Sequence, residues 1–468
     1  MASLQDILNT NVEGLSYLGT PFCLLLGAIS LLITGSFSQS KLIINVLYGL
    51  VLFCSFWFLS WESVDLFLGQ VKFNPFSTTI QSLCLGVALS LLFFRDFRNE
   101  PFEYHFLILA LLLGSLLMTI FSHLLLIYLS VELVSLSAYM LTALPLRKRS
   151  FEAGLKYLII GGIGSAVMLY GISLIYGFDQ TFLLSGISTG DDWRLLGWLF
   201  LLVGVFFKIS LFPMHLWVPN AYQGASTTTA AIFSIVPKLC GLVLLHNIIQ
   251  AAGHSIFDDL LLVLALVTVL VGTFAAIFQK EVKRLIAYGA IAHTGFMMPL
   301  VLPGFQSGEQ FIIYASVYAL MNVSVFYFIS LHEKDGELWL ESLNGLGKFS
   351  PWLGVAGLVV VVALVGLPPT AGFSIKLLLF TTVWGVYEST QSPVILCYFM
   401  GGIFSTVVAL FYYLRIPYHY FLVVEERSSG TKVAFVSVAL TTILAASLLW
   451  LFIEPDIFNN FVVILGKP

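Results

Sequence analysis

Charge is scarce in this chain. Of its 468 residues only 10% are Asp, Glu, Lys or Arg, against roughly 25% in an ordinary soluble domain. A soluble protein of this length needs far more polar surface, so a water-soluble enzyme is excluded. No basic run or patch is present, and the net charge of −4 is spread along the chain, which argues against a nucleic-acid partner. Cysteine is sparse as well. Cys23, Cys54, Cys84, Cys240 and Cys397 lie far apart in apolar runs with no C-x-x-C pair. That argues against a disulfide framework, a zinc site and an iron–sulfur cluster. Walker loops, the H-E-x-x-H pattern and nucleophile elbows are missing too. The opening stretch, Met1 to Asn11, holds no Lys or Arg. It reads as neither a signal peptide nor a transit peptide, so an organellar chain of this kind is expected to be made in the organelle.

Apolar residues are abundant instead: 59% of the chain, with a mean hydropathy of +0.98. A bilayer core takes about 20 apolar residues per helix. At that window fourteen spans are expected, at about 17–36, 42–60, 78–94, 104–123, 124–144, 154–177, 195–217, 227–249, 257–279, 282–304, 308–332, 349–386, 392–416 and 432–453. The twelfth is too long for one crossing and must bend or break. Continuous rather than alternating runs exclude a β-barrel. The expected fold class is therefore all-α, a polytopic membrane protein.

The basic residues test that count. Loops following odd-numbered spans, with adjoining span edges, hold Lys41, Arg95, Arg98, Arg147, Lys148, Arg149, Lys280, Lys283, Arg284, Lys334, Lys348, Arg415, Arg427 and Lys432. The even-numbered loops and both tails hold only Lys72, Arg194 and Lys467. A wrong span count would scramble this segregation, which predicts both termini on the outer side.

Four lysines remain: Lys156, Lys208, Lys238 and Lys376. Lys208 and Lys238 lie roughly 15 Å from the nearer span end at 1.5 Å per residue, too far to snorkel. Glu132 is inside the fifth span and His293 midway along the tenth. A charge at mid-bilayer costs at least about 2.5–3.5 kcal/mol, so such groups face the bundle interior, pair, or line water. Lys156, near its span end and next to Glu152, reads equally as an interfacial anchor, and His293 alone could be a satisfied core histidine. Together, a carboxylate, an imidazole and several amines in one bundle have the makings of a proton relay.

Prolines adjoin these charges. Lys208 precedes Pro213 in the seventh span, Pro368 and Pro369 precede Lys376 in the twelfth, and Pro237 directly precedes Lys238. Each proline removes an intrahelical hydrogen bond, and inside lipid the freed carbonyl must find protein or water. Spans four to eight and nine to thirteen also match in order. In each set the second span carries a titratable group, Glu132 or His293, and the fourth a proline with a lysine. Five is odd, so the second set is expected to lie inverted, an arrangement shared by many ion transporters. The expected organisation is three N-terminal helices over 1–103, a five-helix repeat over 104–249, its inverted counterpart over 257–416, and a C-terminal helix within 417–468.

VELVSLSAYML with Glu132, FEAGLKYLIIGGIGSAVMLYGISLIYG with Lys156 and VGVFFKISLFPMHLWVP with Lys208 resemble a known family. So do IFSIVPKLCG with Lys238, KRLIAYGAIAHTGF with His293 and GLPPTAGFSIK with Lys376. In this order they are similar to the antiporter-like, proton-translocating subunits of respiratory complex I, above all the type called subunit 2 or subunit N. The resemblance implies fourteen helices with broken seventh and twelfth members. It also implies a proton relay through Glu132, Lys156, Lys208, Lys238, His293 and Lys376, with helix breaks at Pro213, Pro368 and Pro369. It further implies other membrane-arm subunits and lipid as partners, and no cofactor in this chain. NADH, FMN, iron–sulfur clusters and quinone belong to partner subunits. The implied place is the mitochondrial inner membrane, or alternatively a bacterial inner membrane. The alternative function is a stand-alone or multisubunit Na⁺/H⁺ antiporter subunit. One loop departs from the family pattern: WVPNAYQGAST has Asn220 and Gln223 where two acids are usual, and Ser226 in place of a proline. That puts in question any charge interaction between this loop and a neighbouring subunit.

Overall fold

A computed structural model describes residues 14–38, 40–187, 192–252, 257–305, 307–334, 336–423 and 434–454. Arg427, Lys432 and Lys467 lie outside the described residues. The described chain is helical apart from one small hairpin, Val64–Leu66 paired antiparallel with Val71–Phe73. That hairpin was not expected from the sequence. Leu66, Val71 and Phe73 bury a small apolar cluster with Ile120, which anchors this two-stranded sheet to the helix ending at Ile120.

The chain divides into two compact units. The first holds α1 (Gly19–Phe37), α2 (Lys41–Trp57), α3 (Pro75–Ser90), the short α4 (Arg95–Asn99), α5 (Phe102–Ile120), α6 (Leu124–Ala143), α7 (Lys148–Asp179) and α8 (Asp192–Ile209). The second holds α9 (Val218–Gly224), α11 (Asp258–Ile277), α12 (Val282–Val301), α13 (Gly308–Ser330), α14 (Pro351–Val365), α15 (Ala371–Thr390), α16 (Pro393–Tyr413), α17 (Arg415–Phe421) and α18 (Phe435–Ile453). Helix α10 (Thr227–Ala252) contributes its residues up to Ile235 to the second unit and those from Val236 to the first. It runs unbroken through Pro237, where the sequence suggested a third kink.

The fourteen expected spans correspond to helices in the same order. Among the described residues, ten helical stretches are long and apolar enough to cross a bilayer. The other four expected spans are α2, α8, α12 and the α14–α15 pair. Helix α2 is short, α8 and α12 carry charge, and the last is interrupted: α14 ends at Val365 and α15 starts at Ala371. Apart from α2, each of these weaker spans holds one candidate group: Lys208, His293 or Lys376.

Within each unit, neighbouring helices approach closely through glycine. In the first, α5 lies against α6 at Gly114, where an added Cβ would meet the Ser130 carbonyl oxygen at 2.9 Å. In the second, α11 lies against α12 at Gly272, where a Cβ would meet Ala292 N at 2.7 Å and Tyr288 O at 2.8 Å. The GGIGS cluster behaves partly as expected: Gly161 and Gly164 pack against aromatic side chains, whereas Gly162 faces open space.

The obstacle at Gly272 is backbone, which cannot swing aside. Gly272→Val is expected to destabilise the chain by about 1–3 kcal/mol through overpacking. Thermal unfolding in detergent and the amount of chain in membranes measure this. Gly86, with nothing within 4 Å of an added Cβ, is the control: Gly86→Ala leaves both unchanged.

Candidate functional site

In the first unit, α8 stops at Ile209, four residues before Pro213, and Ser210 turns into the left-handed region at φ 60°. Lys208 therefore sits in the last turn of a helix that ends inside the apolar bundle. Partial negative charge accumulates at such a C-terminus and favours a cation there. The side chain is 1% exposed, and its Nζ lies 5.5 Å from the Phe207 ring centroid. Among the described residues this Nζ donates no hydrogen bond, and one carboxylate oxygen of Glu132 is likewise buried and unpartnered. Glu132 stands on α6 of the same unit. Lys238, on α10, is fully buried. Three residues further, on the same helix face, Gly241 lets α10 approach the break: a Cβ there would meet Ile209 Cγ2 at 2.6 Å and Lys208 Cβ at 3.8 Å. Distance in sequence concealed one meeting. The buried thiols of Cys84 and Cys240 lie 3.6 Å apart, both free.

In the second unit, Gly366 follows α14 at φ 85°, and Pro368 and Pro369 occupy the interruption before α15. Lys376, sixth residue of α15, reaches back and donates to the Val365 carbonyl oxygen at 2.7 Å. That carbonyl belongs to the last residue of α14, one of the groups a helix end leaves without an intrahelical partner. Lys376 Nζ also lies 5.0 Å from the Phe296 ring centroid. The His293 ring centroid lies 6.2 Å from that of Phe296. His293 is buried, and its Nδ1 lies 2.9 Å from the Tyr314 hydroxyl. The sequence signal for Tyr314 is modest: Tyr314 and Tyr318 recur at i, i+4 on one buried face of α13.

Thus Glu132, Lys208 and Lys238 are gathered in the first unit, and His293 and Lys376 in the second. Lys156 is not gathered with them. Its side chain is 51% exposed on the surface of this chain and pairs with Glu152 at 2.6 Å. Lys283, counted with the loop charges, is fully buried. It donates to Glu333 Oε1 at 3.0 Å, Gly336 O at 2.7 Å and Ala225 O at 3.1 Å, while Thr227 donates to the other Glu333 oxygen. The departing loop forms α9, and its amides face inward. Arg284 donates to Asn220 Oδ1 at 3.1 Å and Gln223 Oε1 at 3.0 Å.

Residues 122–403 match the family described as NADH:quinone oxidoreductase/Mrp antiporter, transmembrane. This chain belongs to that family. It is 36% identical to NADH-quinone oxidoreductase subunit N of Rhodobacter capsulatus over 341 residues, 70% of either chain. Its structure is similar to a chain of respiratory complex I from Thermus thermophilus, with a TM-score of 0.79, 28% identity, and coverage of 93% of this chain and 97% of that one. A chain of the Mrp complex from Dietzia sp. shares the fold, at a TM-score of 0.79 and 17% identity over 97% and 98% of the two chains. The gathered lysines, glutamate and histidine all fall inside the matched segment.

Removing one member of a buried ion pair leaves the other charge uncompensated, at a cost of about 3–5 kcal/mol. Glu333→Gln is expected to lower thermal stability in detergent on that scale, with Lys283 stranded. Adding Lys283→Met to it removes the stranded charge and recovers part of the loss.

Proposed function

We propose that this chain is a membrane-arm subunit of a proton-translocating NADH:quinone oxidoreductase, moving protons while electron transfer from NADH to quinone takes place in other subunits. The observation that carries the reading is the burial of three lysines in an apolar bundle, two of them at breaks in helices. Groups this costly to bury in a membrane are held by function, and broken helices are where transporters bind and pass ions.

Roles follow from the geometry within each unit. Glu132 sets the charge state of Lys208: with the carboxylate nearby the ammonium is favoured, and a change in that interaction releases the proton. Lys238 and His293 relay protons along the membrane plane. Lys376 hands them to the opposite half-channel or the next subunit. Lys156, exposed on this chain and paired with Glu152, is a contact or exchange point toward a neighbouring subunit. NADH, FMN, iron–sulfur clusters and quinone are assigned to partner subunits. What supports this is the absence of any nucleotide-binding loop or clustered cysteine motif from the sequence. Other membrane-arm subunits and lipid are the partners of its exposed apolar helix faces. The segregation of basic loops supports termini on the outer side of a mitochondrial or bacterial inner membrane. The bacterial source of the relatives supports the bacterial alternative.

Lys208→Met is expected to lower the protons translocated per NADH oxidised in reconstituted vesicles, with assembly intact. An unchanged ratio overturns the role of Lys208. The second reading, a multisubunit Na⁺/H⁺ antiporter component, is favoured by the fold shared with Mrp. A native gel of mildly solubilised membranes separates the two. The chain migrates in a very large assembly with NADH dehydrogenase activity in the first case, and without that activity in the second.

A further inference from the structure

Tyrosine side chains stand beside His293 among the described residues. Helix α13 presents Tyr314, hydrogen-bonded to Nδ1 at 2.9 Å, and Tyr318, whose ring centroid lies 5.2 Å from the imidazole. Helix α16 brings Tyr398, Tyr412 and Tyr413. Tyr398 donates to the Gly295 carbonyl on α12, and the Tyr413 hydroxyl lies against Gly289. Helix α15 brings Lys376, whose Nζ lies 5.0 Å from the Phe296 ring centroid. Helix α9 carries Tyr222, and α11 carries the hydroxyls of Thr268 and Thr273. The carboxylates on these helices, Asp258, Asp259, Glu309 and Glu388, all stand in end turns, whereas His293 is the twelfth residue of the twenty in α12.

A carboxylate bonded to Nδ1 would hold the imidazole charged, and a carbonyl would accept only from Nδ1–H. A hydroxyl serves both states, because it carries one donor and two acceptor positions. It donates to Nδ1 of the neutral ring and, rotated, accepts from Nδ1–H of the imidazolium. We propose that Tyr314 is a positioning residue that keeps both protonation states of His293 hydrogen-bonded, so that the ring can take up and release a proton without leaving a buried nitrogen unpaired. This rests on the proton-relay reading above and identifies what makes one of its members able to cycle.

Losing the hydroxyl costs the imidazolium more than the neutral ring, since hydrogen bonds to charged groups are worth more. In the assembled complex in vesicles, Tyr314→Phe is expected to move the alkaline limb of NADH-driven proton translocation to lower pH by about half to one unit. NADH:quinone electron transfer in detergent is retained. In a His293→Gln background the same change has no further effect on the profile, which a merely structural tyrosine would not obey. Site-specific 3-fluorotyrosine at position 314 keeps the shape and weakens the acceptor, so a smaller shift in the same direction is expected even if the phenylalanine variant fails to assemble. An unmoved limb with fluorotyrosine, or an equal effect of Tyr314→Phe with and without His293, overturns the proposal. Lys208→Met is run in parallel. If it lowers the proton ratio while Tyr314 has no influence, only this inference fails; if Lys208→Met leaves the ratio unchanged, the relay reading fails.

Discussion

A helix that stops inside a bilayer strands its last carbonyls where no water can reach them, and this constraint organises both candidate sites. A buried lysine has the complementary difficulty: three donors and a charge with nothing to meet them. At the second break each solves the other's problem. Lys376 donates to Val365, the final residue of α14, across an interruption held open by a left-handed Gly366. Space there is as tight as the bond requires. A Cβ on Gly366 would meet Lys376 Cδ at 2.6 Å, and one on Gly372 would collide with the Ala363 carbonyl. The first break is arranged differently. Lys208 lies before the interruption rather than after it, in the terminal turn itself, and the nearby charge is Glu132 on another helix. One amine is hydrogen-bonded to a backbone carbonyl, and the other makes no hydrogen bond among the described residues.

Phe296 is near both Lys376 and His293: its ring centroid lies 5.0 Å from Lys376 Nζ and 6.2 Å from the imidazole centroid. An aromatic ring attracts a cation without offering it a lone pair, so it can favour a charged Lys376 but cannot take its proton.

Hydrophobic runs made the span count legible because a bilayer sets the length of a crossing element, and charge segregation cross-checked it. Lys208, Lys238, Lys376 and His293 were legible for a related reason: in so apolar a chain a polar residue at mid-span has few alternatives to burial. The same logic misplaced residues near span ends, where helix boundaries slip by a few positions. Lys283, two residues into α12, looked like a loop charge and is entirely buried against Glu333. Lys156, which read equally as an interfacial anchor and as a relay member, is exposed beside Glu152. Pro237 was read with the breaking prolines, yet α10 continues through it. One proline removes one hydrogen bond, and a long helix tolerates that; each of the two real breaks combines its proline with a residue at positive φ, Ser210 or Gly366. The tyrosine shell around His293 was beyond the sequence, because tyrosine is common at apolar positions and only tertiary packing aims a hydroxyl at a ring nitrogen.

The loop that departs from the family pattern bears on the same distinction between charge and hydrogen bonding. Two acids there would both bind Arg284 and cancel its charge. Asn220 and Gln223 accept the same hydrogen bonds and leave the guanidinium charge in place. Helix α9 is thus still anchored to α12, the helix that carries His293, by geometry that does not need the carboxylates. Nearby, the fully buried Lys283 has a carboxylate partner in Glu333. The two adjacent basic residues are therefore treated according to depth: the buried one is neutralised, and the shallower one is only hydrogen-bonded.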